Sequence, residues 1–72
     1  MTAKEAYKCL VEKWGNVRVI NCIEYRTMFV FAFSGIAGSV SVDKKTGSVS
    51  KFIPSTMPLD EFLSGVKVTA YK

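Results

Sequence analysis

The chain has 72 residues, ten Lys and Arg against six Asp and Glu, and no histidine, for a net charge of +4. That length holds one domain, residues 1–72, near the size at which a single core only just offsets chain entropy. Without histidine the usual general base for a serine or cysteine nucleophile and the commonest metal ligand are both missing, which argues against an enzyme, a metal site or a cofactor.

The apolar fraction is 49% and the mean hydropathy +0.19, high for a chain with so much surface per residue. Exposed apolar area is therefore expected in the monomer, and with it a binding face. The longest uncharged, mainly apolar run, residues 28–42, is broken by Ser34, Gly35, Gly38, Ser39 and Ser41 and is too short to span a bilayer. Lys4, Glu5, Lys8, Glu12 and Lys13 punctuate the N-terminus, which is unlike a signal peptide, so a cytoplasmic location is expected. Cys9 and Cys22 form no C-x-x-C and fit no zinc spacing. Each is expected to pack as a small hydrophobe, with a disulfide the lesser alternative in a cytosolic chain.

Thr2 and Glu5 make a T-x-x-E capping box, which predicts a helix start there. Ala3, Ala6, Tyr7, Leu10 and Trp14 recur at helical steps, with Lys4, Lys8, Glu12 and Lys13 on other faces, and Gly15 supplies the C-terminal stop. Residues 17–25 then read as a strand in which Val17, Val19, Asn21, Ile23 and Tyr25 alternate with Arg18, Ile20, Cys22 and Glu24. Residues 28–33 give a second strand, with Phe29, Phe31 and Phe33 on one side and Met28, Val30 and Ala32 on the other. A strand apolar on both sides belongs in the middle of a sheet.

Ser34, Gly35 and Gly38 read as a flexible connection, after which Val40 and Val42 alternate with serines. Residues 43–47, DKKTG, combine an Asp that can bond its own turn with a Gly free to take positive φ, a strong hairpin signal. The strand returning from it ends at Pro54. Pro58 fits the first turn of a short helix whose Asp60 and Glu61 suit the positive end of the helix dipole. Leu59, Phe62, Leu63 and Val66 are placed to face the core, and the alternation of Val66, Val68 and Ala70 allows one added edge strand. The fold class is thus α+β: an N-terminal helix, an antiparallel four-stranded meander sheet and a short C-terminal helix, with both helices expected on one sheet face.

Chemistry-bearing motifs are few. Asp60 and Glu61 are adjacent and point in different directions on a helix, and S-G-I-A-G at residues 34–38 lacks the spacing of a phosphate-binding loop. Phe29, Phe31 and Phe33 are the strongest candidate surface, since aromatics on an open sheet face stack bases while Arg18, Arg26 and Lys51 meet phosphates. The run resembles the aromatic strand of an RNA-recognition module, without that module's βαββαβ order. The same three rings equally suit core packing under the helix.

The hairpin sequence Val42, Asp43, Lys44, Lys45, Thr46, Gly47, Ser48 and Val49 resembles the V-D-x-x-T-G-x-V hairpin of PepSY-type modules. That resemblance implies a noncatalytic regulatory domain associated with peptidase inhibition at the cell envelope, and carries over no functional residue. The leading expectation is a noncatalytic protein-interaction or regulatory module acting through an apolar sheet face or strand edge, with a second copy of the chain or another protein as partner. Single-stranded nucleic acid bound by the Phe strand and the scattered cations is the alternative. No membrane and no small-molecule ligand are expected.

Overall fold

A computed structural model describes residues 1–34 and 38–72, so Gly35, Ile36 and Ala37 of the expected flexible connection lie outside the described residues. Helix α1 spans Ala3–Trp14, followed by strands β1 (Val19–Glu24), β2 (Met28–Phe33), β3 (Ser39–Asp43) and β4 (Val49–Phe52). A 3-10 turn at Pro54–Thr56, helix α2 (Leu59–Leu63) and a two-residue strand β5 (Val66–Lys67) complete the chain. The sheet is antiparallel in the order β4-β3-β2-β1-β5, so the four-strand meander gains β5 beside β1 and β2 is central. Among the described residues no helix is long and apolar enough to cross a membrane.

The local signals behave as their chemistry requires. Glu5 N–H donates to the Thr2 hydroxyl at 3.2 Å and Thr2 N–H to the Glu5 carboxylate at 2.8 Å, closing the capping box. The Thr2 backbone N–H, and after it the Thr2 hydroxyl, hold the Glu5 carboxyl below its usual range. In the β3–β4 turn the Asp43 carboxylate accepts from Lys45 N–H at 2.8 Å and Thr46 N–H at 3.0 Å, and Gly47 takes φ +74°. The backbone donors, Thr46 first and then Lys45, lower the pKa of Asp43.

The register defines two sheet faces. Phe29, Phe31 and Phe33 share a face with Cys22, Val40, Val42 and Val49, and α1 covers it with Ala6 and Leu10. Tyr7 packs 6.2 Å from Phe31, and Trp14 stacks on Phe33 at 5.9 Å, centroid to centroid. One expectation for β1 is corrected here. The pairing shifts between Val19 and Asn21, leaving Ile20 as an extra, exposed residue, so that Val19 and Cys22 lie on the same face despite their spacing. A bulge of this kind breaks the simple alternation.

The second face carries Ile23, Val30, Ser39, Ser41 and Phe52. Both helices were expected on one side of the sheet, but the segment after β4 crosses this second face instead. Tyr25 stacks between Phe52 and Phe62, at 6.2 Å and 6.3 Å with interplanar angles of 27° and 26°. A Cβ at Gly65 would fall 2.6 Å from Ile23 Cγ2 and 2.7 Å from Tyr25 Cε1. The aromatic row and the close passage of Gly65 hold the crossing, and Tyr25 and Val30 are buried outside the α1 core. The tail then returns to the α1 side, where Tyr71 meets Tyr7 and Phe31 and its hydroxyl donates to Val19 O at 3.4 Å.

Gly65→Ala should therefore cost about 1–3 kcal/mol, the usual range for forcing atoms into a packed site. Urea unfolding would read this directly; an unchanged midpoint would mean that the chain does not pass so closely over Tyr25.

Candidate functional site

Phe29, Phe31 and Phe33 are 1%, 0% and 5% exposed, which corrects their reading as an open stacking platform. Helix α1 takes the space a base would need, because burying three rings is the largest apolar gain open to a sheet of this size. Phe29 does receive a cation, but an internal one. Lys44 Nζ lies 4.9 Å from its ring centroid and 2.7 Å from the Glu24 carboxylate, an ion pair that ties the β3–β4 turn to β1.

The three candidate cations are exposed but not gathered. Lys51 pairs with Val40 and so projects on the α1 side. Arg18 lies at the Ser34 end of the first hairpin, where its carbonyl accepts from Ser34 N–H at 2.9 Å. Arg26 sits in the β1–β2 turn, at the opposite end. No continuous phosphate track results.

A cleft of about 470 Å³ opens between the second sheet face and the crossing segment. Met28, Ser41 and Ser50 line it from the sheet, Met57 and Glu61 from the crossing, and Arg26 from the turn. Its hydroxyls are occupied with each other, Ser41 Oγ lying 3.3 Å from Ser50 Oγ. Among the described residues neither serine hydroxyl is hydrogen-bonded to a side-chain base, so neither is set up as a nucleophile. Among the described residues no group of three or more His, Cys, Asp or Glu could hold a metal ion.

Cys9 and Cys22 are both free thiols. Burial, and after it the nearby Glu24 carboxylate, pushes the Cys22 thiol up to about 11, which leaves it protonated and inert at neutral pH.

The surface that sequence reasoning missed is the outer side of α2. Leu59, Phe62 and Leu63 were expected to face the core; instead the helix buries no residue, and Leu59 and Leu63 are each 72% exposed. Only Phe62 turns partly inward, onto Tyr25. Ile53 and Val66 are also exposed, and Pro54, Met57, Leu59 and Phe62 border an apolar recess beside the helix. The signal was present in the spacing: positions 59, 62 and 63 follow the i, i+3, i+4 pattern, which marks an apolar helix face without saying what meets it.

The hairpin at residues 42–49 contributes no open chemistry. Val42 and Val49 pair in the core, Asp43 and Gly47 form the turn, and Thr46 Oγ1 accepts from Ser48 N–H at 3.2 Å. Compared with known proteins, the chain matches no family model, no curated protein and no solved structure.

Treatment of the native chain with a thiol reagent near pH 7.5 should label half-buried Cys9 and leave Cys22 unmodified until denaturant is added. Equal labelling of both in the folded state would contradict the burial of Cys22.

Proposed function

We propose that this chain is a noncatalytic protein-interaction module that docks through α2, inserting Leu59 and Leu63 into an apolar groove on a different protein, with Phe62 holding the helix on Tyr25 between them. The observation that carries the proposal is that α2 presents three large apolar side chains at i, i+3 and i+4 while burying none of its residues. That spacing is the anchor pattern of helix-in-groove recognition. Asp60 and Glu61 stand between the anchors, giving α2 an acidic character on a chain that is basic as a whole. The groove it fits is therefore apolar with a basic rim. A cytoplasmic location suits the two free cysteines.

Leu59→Glu combined with Leu63→Glu tests the proposal, because side chains this exposed contribute little to folding. Affinity capture from native lysate should retain a protein that the double variant loses, and titration of that purified partner should show binding weakened roughly tenfold or more. The unfolding midpoint should stay close to that of the unaltered chain. Equal binding by both forms, or capture of nucleic acid alone with a steep salt dependence, would contradict the proposal.

A further inference from the structure

We infer that the open edge of β4 is a self-association surface, on which a second copy of the chain adds its own β4 antiparallel, about a two-fold axis at Ser50. Strand β4 ends the sheet, so among the described residues one side of its backbone has no strand to pair with. The ladder fixes which groups point outward. Asp43 N–H donates to Ser48 O at 2.9 Å, and strict alternation then turns Ser50 and Phe52 toward β3 and the N–H and C=O groups of Val49 and Lys51 to the open side. With Ser50 opposite its symmetry mate, Val49 falls opposite the partner's Lys51. Each such pair exchanges both of its backbone hydrogen bonds. The other end of the sheet, the two-residue β5, offers no comparable template.

Charge selects the same register. Val49 pairs with Val42, a core residue, and so faces α1, and Glu12 of α1 lines the recess beside Val49, together with Lys13. The partner's Lys51, directly across from Val49, comes within reach of Glu12. Within the chain neither Lys51 nor Glu12 has an ion partner, since Lys44–Glu24 is the one ion pair among the described residues. A lysine on an edge strand usually discourages pairing. Here it discourages every register that sets Lys51 against its own copy and favours the one that sets it against Val49 and Glu12.

Sedimentation equilibrium at micromolar concentration decides the matter. The unaltered chain should sediment at twice its 8.0 kDa mass. Lys51→Pro removes an outward N–H without touching the ladder to β3 and should give a folded monomer. Lys51→Glu and Glu12→Lys should each raise the dimer dissociation constant several-fold, and their combination should restore it, which decides the proposal even where the proline variant fails to fold. A monomer across the concentration range, a dimer that survives Lys51→Pro, or a charge reversal that restores nothing would overturn it. The dimer should also survive Leu59→Glu with Leu63→Glu. Its loss there would assign self-association to α2 and overturn the edge proposal while leaving α2 as the interaction surface.

Discussion

Strand β2 buries Phe29, Phe31 and Phe33 on one side and Val30 on the other, and a central strand buried on both sides needs a cover on each. One cover is easily made. Helix α1, fixed at its start by the capping box, lays Ala6 and Leu10 on the Phe face. The second cover is the harder problem, because the only α-helix described after β4 is the five-residue α2, too short to span the sheet. The chain solves it by carrying the segment after β4 across the back of the sheet and anchoring it on a single residue, Tyr25, between Phe52 and Phe62.

That solution determines what the surface looks like. A short helix held by one aromatic contact shields Tyr25 and Ile23, while its remaining apolar side chains point to solvent. Leu59 and Leu63 are thus exposed as a consequence of how the second face is closed. The cleft beside them exists for the same reason, since the crossing covers only part of that face and leaves the hydroxyl-lined Ser41 and Ser50 region open. The two proposed surfaces, α2 for a protein partner and the β4 edge for self-association, lie on separate parts of the molecule, one on the crossing segment and one on the sheet edge.

Much of the fold was legible in the sequence wherever a local interaction decides the structure. The Thr2–Glu5 box, the Asp43–Gly47 turn and the apolar β2 each follow from chemistry between near neighbours. The side chosen by α2 was not legible, because the pattern of Leu59, Phe62 and Leu63 records an apolar face and not the direction of the chain that carries it. The bulge at Ile20 was also hidden, and it moves Cys22 to the face of Val19 against the simple alternation. For the candidate site the limit was similar. Phe29, Phe31 and Phe33 read equally well as core or as platform, and only the position of α1 separates the two.

The central claim is that the protein has two layers, an α1 layer with its own core and a crossing layer held by Tyr25. Amide hydrogen exchange on Tyr25→Ala tests it most directly. The expected result is a selective loss of protection at Phe62 and Ser64, whose N–H groups donate to Pro58 O and Glu61 O, with Leu10 and Val42 keeping theirs. Unchanged exchange at Phe62 and Ser64, or an equal loss of protection through α1 and β3, would contradict the two-layer account.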